Sequence, residues 1–318
     1  LHRWFAAYGR DLPWRKTQDP YAILVSEFML QQTTVAAVIP FYERWLRKFP
    51  NFGALAAARE QTVLRAWEGL GYYSRARNLH KLAKEIVTKH HGQFPSDPAA
   101  ASKLPGIGPY TLGAVMSFAF DLPLPAIDVN VERVLARLYD ISEPLDAPSG
   151  RAAITKIASS LLPGRHGAGR FNAAIMELGA LVCKRRNPAC STCPLRTGCR
   201  CIDPATRPIK RSKPARSAFI ESRAWIIDHH DRLLLEKSAG PRWKGLWLLP
   251  RSIENTNNPA LLEMRYAITR YDVSLIVRRE TPPKQPGDAC QWFALSDTAR
   301  IPIASPFRRA IEKLRGLA

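Results

Sequence analysis

The sequence predicts an all-α domain over residues 1–202 followed by a smaller α+β domain. Three observations carry this. Apolar residues recur at helical spacing through the first part of the chain. A Pro- and base-rich stretch, Asp203–Arg216, then interrupts the pattern and reads as a linker. Beyond it come short runs with the period of β-strands. The length, 318 residues, also exceeds one average domain, and no internal repeat is evident.

The elements follow in order. Tyr21–Lys48 has helical spacing with a break expected at Pro40. Ser74–His91 places Leu79, Leu82, Ala83, Ile86 and Val87 on one stripe, with Lys and Arg opposite. Pro109–Phe120, Val129–Asp140 and Phe171–Lys184 read as further helices punctuated by Pro and Gly. Strands are expected at Ala218–Asp228, Arg232–Lys237 and Val273–Arg278, and Ser305–Leu317 closes the chain as an amphipathic helix.

Lys and Arg number 47 against 27 Asp and Glu, a formal charge of +20. Such a surface favours polyanions, nucleic acid before an anionic membrane. The most apolar stretch, Thr111–Ile127, is interrupted by Asp121, Pro123 and Pro125, so no membrane-spanning helix is expected. The opening Leu-His-Arg-Trp-Phe has no signal-peptide character and no initiator Met precedes it. The expectation is a soluble cytoplasmic protein, nucleoid-associated (nuclear or mitochondrial in a eukaryote), whose chain starts inside a longer one.

Five of the six cysteines lie between positions 183 and 201, and Cys290 stands alone. A disulfide scaffold is out of place in a large intracellular chain. Cys183, Cys190, Cys193 and Cys199 form C-x6-C-x2-C-x5-C. Four thiolates in one short loop can hold a [4Fe–4S] cluster or Zn²⁺, and the spacing alone does not choose. Cys201 is the alternative fourth ligand.

Leu104-Pro105-Gly106-Ile107-Gly108 before a helix reads as a helix–hairpin–helix turn. Its glycines let the backbone turn sharply and bring amides near an anion, and the next helix adds its N-terminus. That makes a sequence-independent phosphate clamp; the plainer reading is an ordinary interhelical turn. Asp128, directly before a helix, is a favourable N-cap whatever else it does. Glu27, in Ser26-Glu27-Phe28-Met29-Leu30-Gln31-Gln32-Thr33, is an acid on an otherwise apolar helix, either a surface residue or a buried functional one.

The cysteine spacing, just after Leu178-Gly179-Ala180-Leu181-Val182, resembles the [4Fe–4S] loop of the endonuclease III and MutY DNA glycosylases. The hairpin followed by Asp128 resembles the motif of the helix–hairpin–helix glycosylase superfamily. Leu12-Pro13-Trp14-Arg15, the Glu27 segment and Gly69-Leu70-Gly71-Tyr72-Tyr73-Ser74-Arg75 match MutY blocks. Lys244-Gly245-Leu246-Trp247-Leu248-Leu249-Pro250 resembles part of the Nudix-like domain that MutY adds.

The resemblance implies a helix–hairpin–helix glycosylase fold with a [4Fe–4S] loop and a Nudix-like C-terminal domain. Residues 22–126 would form a six-helix module. Residues 1–21 and 127–202 would form the iron–sulfur module, 203–216 the linker and 217–318 the Nudix-like domain. The cluster, on Cys183, Cys190, Cys193 and Cys199, would be structural. Glu27 would protonate the leaving base, Asp128 would stay ionised and stabilise the sugar cation, and Tyr110 and Asn130 would orient them. Arg10, Trp14, Arg15 and Leu30 would line the base pocket. Gln32, Thr33, Tyr72, Gly106 and Gly108 would contact DNA, with Gln32 and Tyr72 wedged into the stack. Thr269 and Arg270 would face the opposite base. The implied partner is double-stranded DNA with a mispair, met by a monomer. The implied reaction is removal of adenine opposite 8-oxoguanine or guanine.

Bifunctional relatives attack the sugar with a Lys just after the hairpin. Here that residue is Tyr110, and Lys103 lies on the other side of the turn, so a monofunctional enzyme is expected. Only Glu254 and Glu263 fall between Gly245 and Arg270, which argues against nucleotide hydrolysis by the second domain. Three positions depart from the MutY pattern. Ile268-Thr269-Arg270 stands where Phe-Ser/Thr-His contacts 8-oxoguanine. Ala173 stands where Gln or Glu touches adenine, and Val129 stands where Gly is usual. They leave two other readings open: a same-lineage glycosylase with a shifted base choice, such as thymine opposite guanine, and a non-catalytic DNA-binding protein.

Overall fold

The structure is a computed structural model that describes residues 1–209, 215–240, 242–252, 258–268 and 270–316. Its helices are α1 (His2–Tyr8), α2 (Pro20–Leu30), α3 (Val35–Lys48), α4 (Phe52–Ala57), α5 (Glu60–Ala66), α6 (Ser74–Lys89), α7 (Pro98–Ala101), α8 (Pro109–Phe120), α9 (Val129–Leu138), α10 (Pro148–Leu161), α11 (Ala168–Leu181) and α12 (Ser305–Arg315). The strands are β1 (Ser217–Trp225), β2 (Arg232–Lys237), β3 (Trp247–Leu248), β4 (Ala260–Ile268), β5 (Tyr271–Arg279) and β6 (Cys290–Ala294). None of the described helices is long and apolar enough to cross a membrane.

The chain forms two compact units: Leu1–Ala57 with Asn78–Ser212, and Ala58–Arg77 with Lys213–Ala318. The stretch expected as a 22–126 module thus contributes residues 58–77 to the second unit. Part of the expected linker is ordered against the first. Arg207 pairs with Asp140 at 2.9 Å, and the Leu145 amide donates to the Ile209 carbonyl. Residues 210–214 lie outside the described residues.

In the first unit, caps set the helix starts. Asp19 accepts from the Tyr21 amide with Pro20 at the first position of α2, and Asp128 caps α9. Helix α2 is buried from Tyr21 to Met29 and packs on α3 and α8. A second core forms where Val131, Val134 and Leu135 of α9 meet Ile154 of α10 and Ile175 and Leu178 of α11. The close approach of α9 and α11 needs Gly179, since a Cβ there would sit 2.9 Å from the Asn130 carbonyl oxygen.

The break expected at Pro40 falls earlier. The chain turns at residues 31–34, where Gln32 takes φ 60°, and Pro40 sits inside α3. Pro40 gives up one intrahelical bond, to the Ala36 carbonyl, without ending α3, while the left-handed Gln32 cannot continue α2. The single strand expected over Ala218–Asp228 stops at Trp225. Asp228 instead turns the chain, accepting from the His230 and Arg232 amides.

The second unit holds two three-stranded sheets, ordered β1-β5-β4 and β3-β2-β6. β1 runs parallel to β5, and the other pairs are antiparallel. Helix α12 contributes Phe307, Ala310, Ile311 and Leu314 to its core. This small α+β unit is consistent with a Nudix-like domain. Glu263 is exposed on β4, and Glu254 lies outside the described residues.

Candidate active site

A cavity of about 930 Å³ opens in the first unit, and Glu27, Tyr110, Asp128 and Asn130 line it together. Arg10, Trp14, Arg15, Leu30, Gln32 and Thr33 line it too, as do Ala173 and Val129. The fold thus brings these residues together from segments far apart in the chain.

Glu27 lies on the buried helix α2 and is 4% exposed. Burial pushes its carboxyl up to about 7, with the Asp128 charge adding to the rise. The Tyr110 hydroxyl, which donates to Glu27 Oε2 at 2.5 Å, and the Arg15 charge both oppose it. Burial and the two carboxylates also drive the Tyr110 phenol well above its ordinary value, so it stays a donor.

Asp128 keeps its capping role. Its Oδ1 accepts from the amides of Asn130 (2.9 Å) and Val131 (2.8 Å), and its Oδ2 from Asn130 Nδ2 (2.7 Å). Burial raises its pKa, against these bonds and the Arg133 charge, all of which favour the anion.

Four residues outside the sequence-based set shape the site. Glu177, 1% exposed on α11, accepts from Arg10 N, Nε and Nη2 and from Arg15 Nη2. These guanidiniums hold it down at about 2. Arg10 and Arg15 thus line the cavity with those donors already engaged. Arg133 donates to Asn130 Oδ1 (2.8 Å) and to the carbonyls of Gly179 and Cys183 (2.7 Å each). Asn172 is buried and holds the strap before Asp128, donating to the Leu124 carbonyl and accepting from the Ala126 amide. Asp121 accepts from the Gly167 and Gly169 amides at the start of α11. Glu177 had the same signal as Glu27, an acid within an apolar helical run.

The hairpin glycines differ. Gly106 takes φ 81° and leaves no room for a Cβ beside Phe28 and Asn78. Gly108 has an ordinary φ of −93° as N-cap of α8, so the turn does not need its glycine freedom. A Cβ there would meet nothing within 4 Å, which leaves open space before the α8 amides. Lys103 is exposed, and the described residues lining the cavity include no lysine. Tyr72 belongs to the second unit. Thr269 lies outside the described residues. Arg270 is exposed at the β4–β5 turn, its guanidinium on the Tyr271 hydroxyl at 3.0 Å.

Cys183, Cys190, Cys193 and Cys199 surround a void of about 30 Å³, with Cys201 and Arg137 also in its wall. Arg137 Nη1 lies 3.4 Å from Cys183 Sγ and donates to the Lys184 carbonyl. Among the described residues, no three Cys, His, Asp or Glu side chains converge as ligands of one ion.

Residues 25–157 match the HhH-GPD superfamily base excision DNA repair protein family. The adenine DNA glycosylase of Buchnera aphidicola subsp. Baizongia pistaciae is 36% identical over 259 residues, 80% of this chain and 73% of the relative. That of Mycolicibacterium smegmatis is 44% identical over 196 residues, 61% of this chain and 66% of the relative. A solved thermostable thymine-DNA glycosylase aligns with TM-score 0.58 and 30% identity, over 63% of this chain and 91% of its own. A non-covalent endonuclease III–DNA complex aligns with TM-score 0.53 and 26% identity, over 62% and 91%. The chain belongs to the adenine DNA glycosylase family of helix–hairpin–helix base excision repair proteins.

Proposed function

We propose that this chain is a monofunctional adenine DNA glycosylase acting on duplex DNA, with the adenine opposite 8-oxoguanine or guanine. One observation carries the reading: Glu27, buried and poised near neutrality, shares a cavity with Asp128 and accepts a hydrogen bond from the Tyr110 hydroxyl. Breaking an N-glycosidic bond needs a protonated leaving base and a stabilised sugar cation. Glu27 gives its proton to a ring nitrogen of the base, N7 of adenine in the family. The bond from sugar C1′ to N9 breaks with its electron pair going to the base. Asp128, bonded to the α9 amides and Asn130, stabilises the oxocarbenium-like cation. Water adds to C1′ and loses a proton to Glu27, leaving an abasic site and free adenine. Tyr110 replaces the lysine a lyase uses, and a phenol forms no imine.

DNA is held by the Gly106–Gly108 turn, the N-terminus of α8 and the basic surface that the +20 charge supplies. Gln32 and Tyr72 enter the stack, and Thr269 and Arg270 face the opposite base, where Arg can donate to a guanine-type edge. Ala173 cannot hydrogen-bond adenine as Gln or Glu does, so discrimination rests on the remaining walls. A monomer suffices, since one chain supplies both parts.

The cysteine spacing resembles the [4Fe–4S] loop of the endonuclease III and MutY glycosylases, and that resemblance favours a [4Fe–4S] cluster over one zinc ion. Burial and the neighbouring Cys183, Cys199 and Cys190 push the Cys193 thiol up, a crowding that bound metal relieves. The four thiols ring one small void. Cys183, Cys190, Cys193 and Cys199 would hold it, and its contribution is to fold a basic loop bearing Arg185, Arg186 and Arg196.

A panel of duplexes tests this: A opposite 8-oxoguanine, G, C and T, and T opposite G, each with and without alkali. Alkali-dependent cleavage at A opposite 8-oxoguanine is expected. Release only from T opposite G would favour the shifted base choice that Ala173 and the thymine-DNA glycosylase likeness suggest. Tight binding without release would leave a DNA-binding protein.

A further inference from the structure

The Gly69-Leu70-Gly71-Tyr72 turn ends in an exposed, left-handed tyrosine. Gly69, Gly71 and Tyr72 take φ of 104°, 70° and 46°, and the Tyr72 ring is 46% exposed. A left-handed tyrosine persists only where its surroundings hold it. Local contacts do part of this. Arg75 Nη2 donates to the Leu70 and Gly71 carbonyls at 2.9 and 3.2 Å, and its guanidinium lies over the Trp67 and Tyr72 rings. Trp67 Nε1 also donates to the Gly71 carbonyl.

Both ends of the turn are then fixed to one distant segment. On the near side, Glu68 is bound by Arg308 of α12 through Nε (2.5 Å) and Nη2 (3.1 Å), and by the Ile303 amide (3.3 Å). Arg308 is itself oriented by donating to the Thr298 and Ile301 carbonyls. On the far side, the buried Tyr73 hydroxyl bonds the Ser305 side chain, the Gly69 backbone and the Ile303 carbonyl. Arg65 donates to the Ala299 carbonyl.

We infer that residues 298–308 position Tyr72 for entry into the base stack, with Glu68 and Arg308 as positioning residues for base extrusion. This rests on the proposed role of Tyr72 as a wedge. It gives the C-terminal segment a task separate from reading the opposite base: it holds in place the side chain that opens the stack. The chemistry at Glu27 is not involved.

The test uses the full-length, cluster-loaded protein and a duplex carrying 2-aminopurine beside an adenine opposite 8-oxoguanine. Glu68→Gln, which is isosteric, and Arg308→Gln are each made alone and on a Tyr72→Ala background. Fluorescence reports unstacking, single-turnover release reports excision, and thermal melting checks folding. Each single change is expected to cut the unstacking amplitude and the release rate by roughly tenfold, within the range shown by coupled neighbours. On the Tyr72→Ala background either change should add less than about twofold, because the residue it acts through is gone. Effects that multiply on that background, or an unchanged unstacking signal in a folded Glu68→Gln protein, would overturn the inference. Should Arg308→Gln fail to fold, Glu68→Gln decides alone. Absence of adenine release by the unmodified protein would count against the proposed function, while the fluorescence signal would still test the coupling.

Discussion

The two walls of the cavity each bury a glutamate, and the two behave in opposite ways. Glu27 on α2 and Glu177 on α11 are 4% and 1% exposed. Yet Glu27 is poised at about 7 and Glu177 at about 2. The difference lies in their partners. Glu177 receives four hydrogen bonds from the Arg10 and Arg15 groups, which stabilise its anion. Glu27 receives one, from a phenol, and faces the Asp128 charge. Burial alone therefore assigns no role. A carboxyl hydrogen-bonded only by a phenol becomes a proton donor near neutral pH, and one clamped directly by guanidiniums becomes a fixed anchor.

Breaking the α2 side is expected to have the largest effect. Glu27→Gln should lower single-turnover base release by about 10²–10⁴, the usual range for loss of a general acid, while DNA binding measured by titration persists. Asp128→Asn should follow, with a loss of about 10²–10³, because the cation then lacks its charge partner. The contrast also has a stability side. Glu27, with its raised pKa, favours folding fully below its ordinary 4.5 and loses that contribution as pH rises through about 7. Glu27→Gln should therefore stabilise the protein above pH 7, by about 1–3 kcal/mol in denaturant titrations. Glu177 has the opposite sign: its contribution is present above the ordinary value and fades as pH falls toward about 2. Glu177→Gln should destabilise by about 1–3 kcal/mol at neutral pH, since its partners are themselves partly exposed.

The smallest effects are the most diagnostic. Removing Glu177 leaves the Arg15 charge uncompensated, and Arg15 already lowers the Glu27 pKa, so the alkaline limb of release should move to lower pH. Tyr110→Phe removes a bond that also lowers it, so that limb should move to higher pH. Opposite displacements of one limb by two changes on opposite walls would show that Glu27 is the titrating group.

Much of this site was legible in the sequence, for physical reasons. Glu27 and Asp128 sit in short segments whose local chemistry constrains them: an apolar helix around one and a helix start after the other. The hairpin and the cysteine spacing are likewise local. Arg133 was not found, because its pairings cross more than forty residues and no local pattern encodes them, and Glu177, which carried the same local signal as Glu27, is told apart from it only by its distant pairing with Arg10. Residues 58–77 read as part of the helical region because their period is helical. Their grouping with the C-terminal unit comes from ion pairs such as Glu68–Arg308 that only the tertiary structure brings together. Gly108 looked like a conformational glycine, whereas its backbone is ordinary and only the open space before it is distinctive.

The pH dependence of adenine release, followed in single turnover on an A opposite 8-oxoguanine duplex from about pH 5 to pH 9, tests the central claim most directly. A rate that falls with rising pH through about 7, with a limb that Tyr110→Phe shifts upward, is the result expected if protonated Glu27 is the acid. A rate that stays flat to about pH 9, or a Glu27→Gln protein that releases adenine as fast as the unmodified one, would contradict it.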